Sequence, residues 1–183
     1  MSATTGGRGA RLPWLLLCAV CLGAGLGAQA HSDSGAGAHG DAGARTAPDF
    51  TLTDLAGRAH SLRALRADGH VLLIFWATDC VYCHALLPEL KRTQRRYGGH
   101  GLRIAAINIG GEHREEVAAY VKDYGVNYLT LTERAHNLDV AQAYGVVGTP
   151  TLVLVSPAGQ VLYYGHKLPR LARWLAPRSG AVD

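Results

Sequence analysis

The chain has 183 residues, 48% hydrophobic and 17% charged, with a formal net charge of +4. This length suffices for one domain with a substantial core and is short for two. Arg8 and Arg11 lie in an N-terminal segment that we expect to be removed, and without these two arginines the net charge is +2. A nearly neutral chain gives no indication of nucleic acid or a membrane surface as partner.

Residues 1–30 have the pattern of a secretory signal peptide. Arg8 and Arg11 precede a mostly apolar run from Leu12 to Leu26, and Ala28–Ala30 matches the small-x-small rule for cleavage. We therefore expect a mature chain that begins at His31 in a periplasm-type compartment. An uncleaved membrane anchor facing the periplasm is the alternative, although the apolar run is short and interrupted by glycines.

Cleavage would leave two of the four cysteines, Cys80 and Cys83, in C-x-x-C spacing. A pair this close closes almost no loop and adds little stability, so in an exported protein we interpret it as a working disulfide. The apolar run Val71–Ala77 predicts a buried strand, and a helical pattern over Val81–Tyr97 begins at the cysteines. Both sulfurs are therefore expected at a strand-to-helix turn, where the helix dipole favours a thiolate.

Residues 31–46 contain no large apolar side chain, so they cannot form a core, and they predict a flexible linker that precedes the domain. Residues 47–176 are predicted to fold as one domain, followed by a tail over 177–183. Periodicity, caps and turn residues predict these elements besides the central strand and helix: a hairpin from Ala47 to Arg58, short helices at Ser61–Leu65 and Asn137–Tyr144, a strand at Leu102–Ile109, a helix at Glu112–Tyr124, a short strand or connector at Tyr128–Leu131, a hairpin from a strand ending at Val155 to Gln160–Gly165, and a closing helix at Leu168–Leu175. This order predicts an α/β domain with a central mixed sheet flanked by helices.

Four motifs in this order resemble the thioredoxin superfamily, and most closely its exported TlpA/ResA-like thiol-disulfide oxidoreductases. They are the N-terminal hairpin Ala47–Gly57, the signature Phe75–Cys83, Pro88 five residues after the second cysteine, and the cis-proline loop Gly148–Thr151. The resemblance runs from about Ala47 to Trp174. It implies a thioredoxin-like fold with an N-terminal β-hairpin extension and a monomeric protein-disulfide oxidoreductase without cofactor or metal. The implied partners are proteins with thiols or disulfides.

The resemblance also implies a role for each site residue. Cys80 would be the nucleophile, and Cys83 would resolve the mixed disulfide formed with a partner. Pro150 is expected to follow a cis peptide bond beside the cysteines, with the backbone of Thr149 free to pair with substrate as an added strand. Four further residues are expected to support the site: Trp76, Asp79, Tyr82 and His84.

Two apolar positions depart from the family pattern. Thioredoxin keeps a buried carboxylate at the position of Ile74, and some TlpA/ResA-like proteins carry a glutamate at the position of Leu86. The proton relay for Cys83 is therefore open among three candidates: His84, Glu89 and water.

The active-site sequence departs from the family in a second way. Asp79 replaces a tryptophan often found before the first cysteine, and its charge is expected to raise the pKa of Cys80. The dipeptide Val81-Tyr82, with His84 after it and Thr149 before the proline, resembles periplasmic disulfide isomerases of the DsbC type. Reduction is the family-level expectation and would need a membrane-linked electron donor in an oxidising compartment, with isomerisation or oxidation as alternatives.

Other chemistries compete for the same motif. Cys80–His84 is a literal C-x-x-C-H, the attachment motif of c-type haem, but Met1 is the only methionine and the motif follows a buried strand. A peroxiredoxin would need a threonine three residues before its cysteine, whereas Thr78 is two residues before Cys80. A metal carrier would bind a soft metal through Cys80, Cys83 and a histidine. Non-enzymatic binding modules with this fold usually lack one of the two cysteines, whereas both are present in this chain.

Overall fold

The computed structural model describes residues 45–175. The predicted signal peptide and C-terminal tail, and most of the predicted linker, lie outside the described residues. The strands are β1 Thr51–Thr53, β2 Ala59–Ser61, β3 His70–Trp76, β4 Leu102–Asn108, β5 Leu129–Leu131, β6 Thr151–Val155 and β7 Val161–Gly165. The helices are α1 Leu62–Leu65, α2 Val81–Tyr97, α3 Arg114–Asp123 and α4 Arg134–Ala143, with a 3₁₀ turn at Leu171–Arg173. Within residues 45–175 no helix has the length and apolar character needed to span a membrane.

The main sheet has five strands in the order β5-β4-β3-β6-β7. Strand β3 runs parallel to β4 and antiparallel to β6, so it is paired along both edges. This position explains the continuous apolar run in its sequence, because a strand covered on both faces has no solvent side. The predicted mixed sheet with flanking helices is confirmed, and a separate two-stranded sheet, β1-β2, forms the N-terminal hairpin.

Alternate residues of β3 enter two different cores, as the two-residue repeat of a strand requires. Leu72, Ile74 and Trp76 pack with α2 and α3, in a core that also contains Cys83. Leu73 and Phe75 face the other way, toward α1, α4 and the N-terminal hairpin. The second cysteine is therefore part of the core on the α2 face of the sheet.

Asp54 holds the turn of the N-terminal hairpin. Its side chain is 6% exposed and accepts hydrogen bonds from the N–H groups of Ala56 and Arg58 at 2.8 and 2.9 Å. The Arg58 guanidinium and the His60 ring contact the other carboxylate oxygen at 2.9 and 3.0 Å. Burial opposes ionisation of Asp54, but the hydrogen bonds from His60, Arg58 and Ala56 together outweigh it and hold the pKa well below its usual range.

The prediction of a closing helix at Leu168–Leu175 is wrong, because this segment contains only the 3₁₀ turn Leu171–Arg173. Pro169 has no N–H and disfavours the helical conformation of the residue before it. The helix predicted at Asn137–Tyr144 is present but begins three residues earlier, as α4. The segment predicted as a short strand or connector is strand β5, parallel to β4.

Candidate active site

Cys80 and Cys83 form a disulfide with an Sγ–Sγ distance of 2.22 Å. Cys80 is the N-cap of the 17-residue helix α2, and its sulfur accepts a hydrogen bond from the N–H of Cys83 at 3.1 Å. Cys80 is half-buried, whereas Cys83 is only 7% exposed. Cys80 is thus the more exposed of the two sulfurs, and it lies at a helix N-terminus, a position that favours the thiolate form of a cysteine.

The cis-proline loop lies beside this disulfide. Phe75 near the end of β3 pairs with Thr151, so the residues before Thr151 run alongside the strand that leads into the cysteines. The peptide bond between Thr149 and Pro150 is cis. Within residues 45–175, the backbone N–H and C=O of Thr149 make no hydrogen bond. The loop thus presents one unpaired backbone donor and one acceptor next to the redox pair.

A small cavity of about 20 Å³ lies beneath the inner cysteine. Cys83, Trp76 and Pro150 line it, together with Ile74 and Leu86. The two positions where family members carry a carboxylate are therefore apolar walls of one cavity under the disulfide. A space of this size holds about one water molecule, and its lining leaves no acid directly beneath Cys83.

Two of the predicted supporting residues, Trp76 and Asp79, differ in their exposure to solvent. Trp76 is 6% exposed, and its ring lies 4.8 Å from that of Tyr120. Asp79 is exposed immediately before Cys80. Trp76 therefore stabilises the floor of the site, whereas any effect of Asp79 on Cys80 acts across solvent.

His84 joins the first turn of α2 to the loop after β3. Its Nε2 lies 2.9 Å from the carbonyl oxygen of Thr78, and its Nδ1 lies 3.4 Å from the Tyr120 hydroxyl. Because a carbonyl only accepts, Nε2 donates, and in the neutral ring Nδ1 then accepts from the tyrosine hydroxyl. Both ring nitrogens are thus engaged away from the sulfurs. Glu89, another predicted candidate for the proton relay, is exposed and lines the surface groove that passes Thr149 and Pro150.

Sequence reasoning missed Glu112. Its Oε1 accepts hydrogen bonds from the N–H and the hydroxyl of Thr78 at 2.5 and 2.6 Å, two residues before Cys80. Burial raises the pKa of Glu112, but hydrogen bonds, led by the two from Thr78, together outweigh burial, so the pKa lies below its ordinary value. The strand order could have indicated this contact. Parallel strands β3 and β4 end at the same end of the sheet, which brings together the loops that follow them, one with Thr78 and the other with Glu112.

We expect Glu112→Gln to destabilise the protein by about 1–2 kcal/mol near neutral pH, since it replaces a charge-assisted acceptor by a neutral one. A lowered folded pKa stabilises the protein above the ordinary value of 4.5, and this contribution is lost as pH falls through the lower folded value. The difference between variant and wild type should therefore shrink in acid. Urea unfolding near neutral pH and in acid measures this difference in the free energy of unfolding. Glu115→Gln, at an exposed position, is the matched control. A difference that does not change with pH would contradict this assignment.

The surface around the redox pair is apolar and open. Val81, Tyr82 and Val147 are 75%, 76% and 92% exposed. Tyr82 also borders a surface groove of about 700 Å³ that runs past Thr149 and Pro150. Exposed apolar groups gathered at one place indicate contact with another protein.

A C-x-x-C disulfide at the N-terminus of a helix after the central strand, beside a cis-proline loop, defines a thioredoxin-like dithiol site. Within the described range 45–175, no cluster of three or more His, Cys, Asp or Glu side chains could hold a metal ion. The Cys80–Cys83 disulfide can accept two electrons when its S–S bond breaks and release two when the bond forms again.

Comparison with known proteins gives the family. The model of the AhpC/TSA family matches residues 44–164, and the chain belongs to this family. The thiol-disulfide oxidoreductase ResA of Geobacillus thermodenitrificans is 36% identical over 116 residues, 63% of this chain and 64% of that protein. ResA of Bacillus subtilis is 34% identical, over 63% of each chain. The chain thus spans slightly less than two thirds of the length of these curated relatives.

Solved structures show the same fold. The thioredoxin domain of a thiol-disulfide oxidoreductase from Bacteroides vulgatus matches with a TM-score of 0.62 at 24% identity, over 68% of this chain and 88% of that one. A thiol:disulfide interchange protein from Bacteroides sp. matches with a TM-score of 0.60 at 25% identity, over 65% and 78%. The predicted thioredoxin-like fold and the relationship to ResA are confirmed.

Proposed function

We propose that this protein is an exported thiol-disulfide oxidoreductase that reduces disulfides of partner proteins. The observation that carries the proposal is the pairing of an accessible sulfur with a buried one at a helix N-terminus. Cys80 is half-buried and Cys83 is 7% exposed, beside the unpaired backbone of Thr149. The ResA relatives, named as thiol-disulfide oxidoreductases, support the same activity.

The reaction exchanges one disulfide for another. In the reduced protein the Cys80 thiolate attacks one sulfur of a substrate disulfide, whose S–S bond breaks; that sulfur is now bound to Cys80 as a mixed disulfide, and the other substrate sulfur leaves as a thiolate. The Cys83 thiolate then attacks the Cys80 sulfur, forms the Cys80–Cys83 bond and releases the bound substrate sulfur as a second thiolate. Each substrate thiolate takes up a proton. The substrate has gained two electrons, and the protein ends with the Cys80–Cys83 disulfide. A membrane-linked dithiol donor would return it to the reduced state.

The loop and the groove provide the contacts that a protein substrate needs. An extended substrate segment can pair with the free N–H and C=O of Thr149 in the manner of an added strand. The exposed side chains of Tyr82, in the first turn of α2, and Val147, shortly before the cis-proline, offer apolar contacts. Backbone pairing is independent of side-chain identity, so the site suits several different cysteine-containing segments.

Export to a periplasm-type compartment is part of this proposal and rests on the signal pattern of residues 1–30. A cleaved chain beginning at His31 and an anchored chain facing the same compartment both place the dithiol where substrate disulfides occur.

A covalent haem site is the alternative from a different class. Thioether bonds would require both sulfurs to face the haem, but Cys83 is packed in the core with Trp76. The ring of His84 is also held by Thr78 and Tyr120. No observation in the structure favours this alternative.

The reduction potential of the Cys80–Cys83 couple tests the direction of electron flow. We expect a value near that of thioredoxin, about −270 mV, measured by equilibration with glutathione or dithiothreitol buffers. A value near −120 mV, as in a strong oxidant, would contradict the reductase assignment and favour oxidation. An intermediate value near −180 mV would favour isomerisation.

A further inference from the structure

The cis-proline loop is held by side chains on both sides of Thr149. The hydroxyl of the fully buried Thr151 donates to the carbonyl oxygen of Gly148 at 2.6 Å. On the other side, the Nδ1 of His166 lies 2.8 Å from the carbonyl oxygen of Pro150. The N–H and C=O of Thr149 lie between these two contacts and make no hydrogen bond within residues 45–175.

His166 donates to the Pro150 carbonyl just beyond the point where the pairing of β6 with β7 ends. The pairing of β6 with β7 ends at Leu152 and Gly165. Pro150 has no N–H, so a regular antiparallel ladder cannot continue past it. The ring of His166, immediately after β7, supplies a donor to the Pro150 carbonyl instead. Because a carbonyl only accepts, Nδ1 carries the hydrogen, as it does in one neutral tautomer and in the imidazolium.

The turn that carries His166 is itself fixed. The hydroxyl of Tyr163 donates to the carbonyl oxygen of Lys167 at 2.8 Å, which closes the chain around the histidine. A Cβ at Gly165 would stand 2.5 Å from the Tyr163 hydroxyl oxygen, so glycine leaves the room that this contact needs. The imidazole is therefore presented from a defined backbone rather than from a free loop.

We propose that His166 is a positioning residue for substrate binding. Its ring fixes the Pro150 carbonyl, so that the Thr149 N–H and C=O stay oriented toward an extended, cysteine-containing segment of the partner protein. His166 also lines the groove that contains Tyr82 and Thr149, and the buried sulfur of Cys83 is not among the groups that line this groove. It acts on recognition of polypeptide substrates and leaves the sulfur chemistry unchanged. This inference rests on the proposed function.

The test compares a polypeptide disulfide with a small one in the His166→Ala protein. Without the donor, we expect the KM for insulin to rise about tenfold, the equivalent of one hydrogen bond, with kcat within about twofold of wild type. Oxidation of the reduced protein by 4,4′-dithiodipyridine and the reduction potential should both be unchanged, because neither uses the backbone of Thr149. His166→Asn, whose amide can donate to the same carbonyl, should restore much of the KM.

His100→Ala is the matched control, because His100 is an exposed histidine just before β4, at the sheet edge opposite the cysteines. It should behave as wild type. An unchanged KM in His166→Ala, an equal loss with both disulfides, or no rescue by asparagine would each overturn the proposal.

Hydrogen exchange separates this inference from the proposed function. Backbone amides over residues 147–151 should exchange faster in His166→Ala than in His166→Asn or His100→Ala, whether or not insulin is a substrate. A wild-type protein that reacts with dithiodipyridine but never with insulin would contradict the protein-reductase function. Unchanged exchange in His166→Ala would contradict the role of His166.

Discussion

Replacing Cys80 with serine is expected to reduce insulin-disulfide reduction to the uncatalysed background, a loss on the order of 10³-fold or more. Cys80 is the half-buried sulfur at the N-cap of α2, and a serine oxygen there cannot form the mixed disulfide. The fold should survive, because serine is itself a good N-cap residue. Insulin turbidity with dithiothreitol as electron source measures the rate, and thermal unfolding of the variant checks the fold.

Cys83→Ser is expected to give a different defect. The Cys80 thiolate can still attack a substrate disulfide, but the sulfur that would release the substrate is gone, so mixed disulfides should accumulate. They are detected on non-reducing gels and by mass spectrometry, with Cys18 and Cys21, the two cysteines of the predicted signal segment, replaced by serine in all samples. If Cys80→Ser trapped substrates and Cys83→Ser did not, the two cysteines would have the opposite roles.

Asp54→Ala is expected to cost about 3 kcal/mol in the free energy of unfolding. The substitution leaves buried N–H groups of Ala56 and Arg58 without their carboxylate acceptor and removes the contacts to the Arg58 guanidinium and His60. The hairpin lies far from the sulfurs in sequence, and at low temperature the folded variant should keep its reductase rate. Urea unfolding near pH 7 measures the loss.

The pH dependence gives a second check on Asp54. Its folded pKa is depressed, so its stabilising contribution is present above the ordinary value of 3.8 and is lost only as pH falls through a much lower folded value. The variant and wild type should therefore differ at pH 5 nearly as much as at pH 7. Asp68→Ala is the control, since Asp68 is exposed and has one surface contact, with Arg103 at 3.5 Å. An Asp54→Ala cost of less than about 0.5 kcal/mol would contradict this account.

The elements that the sequence predicts best are those with long, uninterrupted patterns. The bounds predicted for α2 agree with the structure at both ends, because its periodicity is clear and Gly98 follows its last residue. The buried run at Val71–Ala77 agrees with β3 within one residue at each end, since a doubly covered strand is apolar throughout. In the segment after β7 the spacing of apolar residues predicts a helix, but Pro169 restricts the backbone there and only a 3₁₀ turn forms.

Local sequence by itself determined the strand-to-helix placement of Cys80 and Cys83, the mixed sheet and the chemistry that two neighbouring thiols allow. Only the tertiary structure decided what surrounds them. Glu112 meets Thr78 across 34 residues, and His166 meets Pro150 across 16. Such contacts depend on strand order and register, which place separate loops at one sheet edge, and no local periodicity encodes them. Ile74 and Leu86 are two separate departures from the family pattern in the sequence. The tertiary structure shows that both line one apolar cavity beneath the disulfide.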